Sequence, residues 1–133
     1  MIERKELFRT DVDIRWGDMD ALGQVNSAAY FRYMEEVRVR WLLSIDKKIM
    51  PGEVGPVLIN SSATYLKPIY YPADVYCVLF ADPPGRSSCN LHYEFYFHGA
   101  EQQVTVAESK MIWTDYQAGK SVPIPDDLRQ HLV

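Results

Sequence analysis

Hydrophobic and polar residues alternate one by one over residues 8–16, and the spacing changes to three and four from Ser27 onward. In the first stretch one face carries charged residues, and the other carries Phe8, Thr10, Val12, Ile14 and Trp16. An alternation of this kind is typical of a half-buried β-strand. The chain is therefore predicted to open with a strand that leads into a helix.

The second stretch, from Ser27 to Ser44, contains no Gly or Pro, and its apolar stripe consists of Tyr30, Tyr33, Met34, Val37 and Trp41. This spacing predicts one long helix. Further apolar residues widen the stripe, so the helix is expected to be buried on several sides: Ala28, Ala29, Phe31, Val39, Leu42 and Leu43. Glu36 lies four residues from both Arg32 and Arg40, which predicts ion pairs with both.

After the connector MPGEVGP, period-two patterns predict four more strands, at residues 57–67, 74–81, 88–98 and 103–114. The connectors YYPA, DPPGRS and HGAEQ are short enough to join antiparallel neighbours. One long helix and about five strands predict an α+β fold in which a curved antiparallel sheet wraps the helix. The chain is expected to form a single domain over residues 1–133.

Composition and charge narrow the possible partners. The net charge is -4 and no basic block is present, which argues against a nucleic-acid partner. The opening segment MIERKELFRT lacks the apolar core of a signal peptide, and no later run is long and apolar enough for a membrane span. We therefore expect a cytoplasmic protein with no membrane partner.

Two clusters that could suggest metal or redox chemistry have simpler interpretations. Cys77 and Cys89 lie in strand patterns without a CxxC spacing, and they are predicted to be buried, reduced thiols. His92, Glu94 and His98 share a strand face but spread over roughly 20 Å, too far for one ion. No metal site is expected.

The most informative chemistry lies between the first strand and the helix, where Asp18 and Asp20 precede Gly23 and the helix start near Ser27. A helix start presents unpaired backbone N–H groups and a positive dipole end, which can stabilise an oxyanion. A turn at Gly23 would bring Asp20 back to the same point as a nucleophile or general base. Spacing alone leaves a simple capping or turn role open.

The stretch RWGDMDALGQVNSAAYFRYMEEVR, from Arg15 to Arg38, resembles the opening motif of the hot-dog-fold acyl-CoA thioesterases, in the branch that includes 4-hydroxybenzoyl-CoA thioesterase. The likeness continues through ATYLKPIYYPADV, GRSSCNLHYEF and AESKMIWTDYQAGKSVPIPDDL, and so covers nearly the whole chain. It implies a hot-dog fold with a strand, an Asp turn, a central helix and a four-strand meander. It also implies hydrolysis of an acyl-CoA to a free acid and coenzyme A.

The resemblance further implies that no cofactor is needed, since coenzyme A is part of the substrate. The assembly it implies is a homodimer or homotetramer with the active site between two subunits. Uncovered sheet edges support that expectation of a homo-oligomer.

Carried over by residue, the resemblance makes Asp20 the catalytic carboxylate and the backbone N–H of Ser27 the group that polarises the thioester carbonyl. Asp18 would shape the turn. Substrate contacts are implied for a first group around the helix start and a second group in the turn PPGRSS: Gly23, Val25, Asn26 and Tyr30, then Arg86, Ser87 and Ser88. Asn26 is equally compatible with a cap and with a pocket contact. Arg86 could meet a phosphate of coenzyme A, and Lys67 is a weaker candidate for the same role.

Some alternatives stay open. Many relatives carry a histidine where this chain has Gln24, so the subfamily and its acyl preference are undefined. The sequence also does not choose between nucleophile and general base for Asp20. A hot-dog module that binds acyl groups or coenzyme A without turnover is the main alternative function. A dehydratase is disfavoured, because that chemistry normally pairs a histidine with a carboxylate and no histidine precedes His92.

Overall fold

The computed structural model describes residues 3–45 and 52–133, so the predicted connector MPGEVGP lies partly outside the described residues. A single 3-10 turn (Trp16–Asp18) follows the first strand. The remaining elements in chain order are β1 (Lys5–Val12), α1 (Ala29–Ser44), β2 (Val54–Tyr65), β3 (Val75–Ala81), β4 (Ser88–Phe97), β5 (Gln102–Asp115), β6 (Lys120–Ser121) and α2 (Asp126–Leu132).

Within the described residues, six strands form one antiparallel sheet in the order β1-β3-β4-β5-β2, and β6 adds to β5. The long helix α1 packs on one face of this sheet. Its buried side chains join the inward-facing side chains of the strands in one apolar cluster, which includes Tyr33, Met34, Val37, Cys77, Leu79, Leu91 and Phe95. This arrangement confirms the predicted α+β hot-dog architecture, with an antiparallel sheet around a long helix.

The first strand and the helix have different bounds from those predicted. β1 ends at Val12 and does not continue to residue 16, and Trp16 is 76% exposed. The chain turns there because the N–H of Asp18 donates to the carbonyl of Arg15 at 3.0 Å. α1 begins at Ala29, since Ser27 lies in the turn that precedes it.

The prediction that consecutive strands are neighbours is wrong for β2 and β3. β2 pairs with β5, from Val54 opposite Asp115 to Tyr65 opposite Thr105. β1 forms one edge of the sheet and β2 forms the opposite edge. Among the described strands, β3, β4 and β5 form a meander, and the short β6 extends it by pairing with β5. The segment after β2 crosses the end of the sheet and is held there because the carbonyl of the buried Ile69 accepts the N–H of Val25 at 2.8 Å.

Two elements at the end of the chain were not predicted. β6 is too short to show a periodic pattern, as is α2, although two leucines of α2, Leu128 and Leu132, are each 2% exposed. The preceding segment is tied down where the N–H of Ile124 donates to the carbonyl of Arg86 at 2.9 Å. The short helix thus completes the core beside the turn between β3 and β4.

The ion pairs of α1 only partly follow the predicted pattern. Arg40 donates to Glu36 at 2.7 Å, as predicted. Arg32 instead pairs with the buried carboxylate of Asp18, where fewer waters compete for the interaction.

The apolar flanks of α1 are not fully covered in a single chain, because Phe31 is 37% exposed and Leu43 is 58% exposed.

The predicted thiols are confirmed as buried and free of disulfides. Burial raises the pKa of Cys89 to about 12 and the pKa of Cys77 further still, so both stay protonated at neutral pH.

His92 Nε2 lies 2.9 Å from Asp82 Oδ2. Across residues 3–45 and 52–133, no three His, Cys, Asp or Glu side chains are arranged to hold a metal ion. None of the described helices combines the length and the apolar character that crossing a membrane requires.

We expect Leu128→Ala to lower the free energy of unfolding by about 2–4 kcal/mol, because it leaves a cavity beneath α2. Urea denaturation monitored by circular dichroism measures this loss. Val133→Ala, at a position that is 69% exposed, is the control and should change stability by less than about 0.5 kcal/mol. Equal effects of the two substitutions would show that α2 does not anchor the core.

Candidate active site

Asp18 is a buried carboxylate, 6% exposed, that joins the turn after β1 to α1. Tyr33 of α1 donates its hydroxyl to Oδ2 at 2.6 Å. The guanidinium of Arg15 donates to Oδ1 at 3.1 Å, and Arg32 donates to the same oxygen. Burial alone would raise the pKa of Asp18, but these hydrogen bonds outweigh it and lower the pKa to about 2. Asp18 is therefore ionised and structural.

Asp20 lies in the next turn and is only partly buried. Its Oδ1 accepts the backbone N–H of Leu22 at 2.8 Å and that of Gln24 at 3.1 Å. No group among the described residues donates a hydrogen bond to its Oδ2. One oxygen therefore holds the carboxylate in a fixed orientation while the other stays available.

Gly23 allows the chain to reverse after Asp20. Its φ of 77° lies in the left-handed region, where a side chain would be strained. The N–H of Gly23 donates to the carbonyl of Asp20 at 3.1 Å, and the N–H of Asp20 donates to the carbonyl of Gln24 at 2.7 Å. The side chain of Gln24 donates to the hydroxyl of Tyr70 at 3.2 Å. The predicted return of the chain at Gly23 is thus present.

Hydrogen bonds at Asn26 and Ser27 help to hold the segment before α1. The N–H of Asn26 donates to the carbonyl of Asp18 at 2.8 Å, and the side-chain oxygen of Asn26 accepts the N–H of Ala28 at 3.0 Å. The hydroxyl of Tyr65 donates to the carbonyl of Ser27 at 2.9 Å. Within the part of the chain that the structure describes, the N–H of Ser27 has no acceptor. An unpaired amide therefore lies at the helix start.

A cavity of about 550 Å³ opens between this segment and the end of β2. The structure brings the following predicted site residues together around it: Asp20, Val25, Asn26, Ser27 and Tyr30. Asn26 lines the cavity, and its side-chain oxygen accepts the N–H of Ala28. It is not the cap of α1, because Ala28 occupies that position, and its contact with substrate stays a prediction. Lys67 lines the cavity as well.

Tyr65, at the end of β2, lines the cavity and was missed by the sequence analysis. Its ring centroid lies 4.9 Å from that of Tyr30, which is 3% exposed. Burial raises the pKa of both phenols above the ordinary value, so both keep their protons at neutral pH. The alternation along β2 indicated a strand residue here, but not that the strand ends beside the helix start.

The turn with Arg86, Ser87 and Ser88 lies elsewhere in the chain. Ser88 pairs with Ile112 of β5, whereas Tyr65 pairs with Thr105 of the same strand. Those two positions on β5 are about seven residues apart, or roughly 24 Å at about 3.4 Å per residue. A single chain therefore does not bring the predicted coenzyme A turn to the cavity.

Comparison with known proteins points to one family. A model of the thioesterase-like superfamily matches residues 14–132. The PA2801 protein of Pseudomonas aeruginosa, for which a thioesterase activity is suggested, is 33% identical over 97% of this chain and 100% of its own, with a TM-score of 0.91. The XC229 protein of Xanthomonas campestris, a suggested acyl-CoA thioesterase, is 34% identical over 88% of this chain and 100% of its own, with a TM-score of 0.79. A thioesterase of Thermus thermophilus, solved with coenzyme A and Zn, is 27% identical over 93% of this chain and 90% of its own, with a TM-score of 0.78.

We expect Asp18→Asn to destabilise the protein at neutral pH by about 1–3 kcal/mol, because three donors lose a charged acceptor. The pKa of Asp18 in the folded protein lies below the ordinary value for an aspartate. The stability that the charged Asp18 contributes is therefore complete at pH values above the ordinary pKa and is lost as the pH falls toward the lowered pKa. The difference between the two proteins should therefore shrink from about pH 4 to about pH 2, the range between the ordinary and the lowered pKa. Thermal unfolding across this range measures it.

Asp13→Asn is the matched control for this experiment. The carboxylate of Asp13 also pairs with an arginine, Arg40, at 3.3 Å, but it is 76% exposed. Its removal should change stability by less than about 0.5 kcal/mol at any pH in the range. A pH-independent loss in Asp18→Asn would show that the charge of Asp18 is not what stabilises the turn.

Proposed function

We propose that this protein hydrolyses acyl-CoA thioesters at the cavity beside Asp20. The proposal starts from the family: the chain belongs to the thioesterase-like superfamily and is a thioester hydrolase of the hot-dog fold. One observation carries the proposal. Asp20 and Ser27 line the same cavity. Among the described residues, one carboxylate oxygen of Asp20 has no donor and the backbone N–H of Ser27 has no acceptor. Thioester hydrolysis requires a group that attacks or activates water and a donor for the oxyanion.

In the proposed reaction, the thioester carbonyl oxygen accepts the N–H of Ser27, which polarises the carbonyl carbon. Asp20 then acts in one of two ways. Its free oxygen attacks the carbon, so that coenzyme A leaves as a thiolate and water cleaves the resulting mixed anhydride. Alternatively, it takes a proton from a water molecule that attacks directly. Both routes give a free acid and coenzyme A with no further reactant.

Coenzyme A as the leaving group is supported by the relatives. The Thermus thermophilus thioesterase was solved with coenzyme A, and the XC229 protein is a suggested acyl-CoA thioesterase. In this chain Lys67 lines the cavity and supplies a cation that can meet a phosphate. We propose no cofactor beyond the coenzyme A of the substrate.

We further infer that two copies pair along β2. This strand is an edge of the sheet. Four of its apolar residues are between 36% and 55% exposed: Val54, Val57, Leu58 and Ile59. Open apolar edges of this kind pair with other chains. Antiparallel pairing of two β2 strands would place the Val54 end, near Arg86, opposite the Tyr65 end of the other copy. The Arg86 turn of a second copy would then approach the cavity, which supports the predicted role for that turn in coenzyme A binding.

We expect Asp20→Asn to lower kcat by at least about a hundredfold while acyl-CoA binding largely persists, since the amide keeps the turn but cannot attack the thioester or take a proton. Steady-state release of coenzyme A from short, long and aromatic acyl-CoAs measures kcat. Calorimetric titration with a non-hydrolysable thioether analogue measures binding.

Asp13→Asn is the control for the Asp20 variant. Asp13 also lies between β1 and α1, but its side chain is 76% exposed, and it lies outside the cavity and away from β2. It should keep normal turnover. Near-normal turnover of a folded Asp20→Asn protein would make Asp20 a turn residue. Binding without release of coenzyme A by the wild-type protein would instead make the chain a binding module.

We expect Ile59→Lys, at a position on β2 that is 55% exposed, to shift the protein to a monomer and to abolish turnover. Light scattering at the assay concentration measures the assembly. Val133→Lys, at a position that is 69% exposed at the end of the chain, should leave assembly and turnover unchanged. A fully active monomer of either protein would contradict a site shared between two copies.

A further inference from the structure

We propose that Tyr65 is a positioning residue, whose hydroxyl holds the backbone that presents the N–H of Ser27 to the thioester oxygen. The inference rests on the proposed function, because it concerns the donor that stabilises the oxyanion. The hydroxyl of Tyr65 donates to the carbonyl of Ser27. It therefore acts through Ser27.

The N–H of Ser27 lies between two points where the backbone is fixed. On one side, the N–H of Asn26 donates to the carbonyl of Asp18 at 2.8 Å. On the other side, the carbonyl of Ser27 accepts the hydroxyl of Tyr65 at 2.9 Å. Because each peptide unit is planar, only a few dihedral angles remain between these two points. Fixing both ends limits how far the amide of Ser27 can rotate.

No helical hydrogen bond replaces the bond from Tyr65. Ser27 precedes α1, which begins at Ala29, and the N–H of Ala29 donates to the carbonyl of Asn26 at 2.9 Å. The hydroxyl of Tyr65 is accordingly the donor that the described residues offer to the carbonyl of Ser27. Without it, this carbonyl would turn toward water and the neighbouring amide would gain freedom.

Tyr65 is itself held in place by two kinds of contact. Its backbone pairs with Thr105 in the sheet, so the base of the side chain is fixed at the end of β2. Its ring packs on Tyr30 at 4.9 Å, and Tyr30 packs edge-on to Tyr33 at 5.8 Å. Tyr33 donates to the buried carboxylate of Asp18 at 2.6 Å. A continuous set of aromatic contacts therefore links the hydroxyl of Tyr65 to the anchor of the same loop.

The expected consequence is kinetic. A donor stabilises a developing oxyanion best when it is held in position before the reaction, so that no reorganisation is needed in the transition state. Loosening the amide of Ser27 would weaken transition-state stabilisation more than ground-state binding, which depends on the rest of the cavity. Loss of the Tyr65 hydroxyl should therefore lower kcat and leave KM nearly unchanged.

The test is Tyr65→Phe, which keeps the ring packed on Tyr30 and removes only the hydroxyl. We expect kcat to fall about tenfold, the effect of one hydrogen bond, with KM within about twofold of the wild-type value. The unfolding midpoint and the oligomeric state should not change. The NMR order parameter of the Ser27 N–H should fall from the rigid value of about 0.85.

Tyr76→Phe provides the control, because Tyr76 also loses a hydroxyl hydrogen bond, to Glu101, while its ring stays stacked on that of Tyr96 at 5.3 Å. Tyr76 lies on β3, outside the cavity and away from the edge strand β2. Tyr76→Phe should keep the wild-type kcat, KM and Ser27 order parameter. An equal loss of kcat in both variants would overturn the proposal, because it would reflect a general effect of removing a tyrosine hydroxyl.

The remaining outcomes separate this inference from the proposed function. If Tyr65→Phe keeps full kcat while Asp20→Asn loses it, Tyr65 has no positioning role and the proposed function stands. If Tyr65→Phe raises KM with kcat unchanged, Tyr65 contacts substrate and the positioning role is wrong. If the wild-type protein releases no coenzyme A from any acyl-CoA, the proposed function fails and this inference fails with it.

Discussion

The candidate site depends on the hydrogen bonds and ion pairs of one buried carboxylate, that of Asp18. Its two oxygens are occupied by Tyr33, Arg32 and Arg15, and its own carbonyl accepts the N–H of Asn26. Burying a charge is costly unless it is paired and hydrogen-bonded, and Asp18 meets both conditions. One residue thereby fixes the turn after β1, the flank of α1 and the segment that carries the unpaired amide.

The two aspartates of the motif differ in what their surroundings leave free. Asp18 is enclosed and has donors on both oxygens, so it holds the structure and has no capacity left for substrate. Asp20 is partly exposed, and its turn occupies one oxygen only. Carboxylates placed close together in different environments can take different roles. Their separation by two residues allows one to support the loop from which the other reaches the cavity.

The sheet contributes to the site through its edge. Because β2 lies next to β5 and not next to β3, its last residue, Tyr65, ends beside the start of α1. The crossing segment then returns past the same loop, where the carbonyl of Ile69 accepts the N–H of Val25. Strand, loop and crossing segment therefore enclose one cavity, although they are far apart in the sequence.

The sequence by itself determined the helix, the main strands, the buried cysteines and the cluster of Asp20, Asn26 and Ser27, because periodicity and close spacing report on local geometry. It also carried enough of a motif to indicate the family. Only the tertiary structure decided which strands are neighbours, that Arg32 pairs with Asp18 and not with Glu36, and that Tyr65 meets Ser27. It also decided that the Arg86 turn lies away from the cavity in a single chain. These outcomes depend on contacts between distant segments, where burial and competition among partners select one pairing and local patterns cannot distinguish the alternatives.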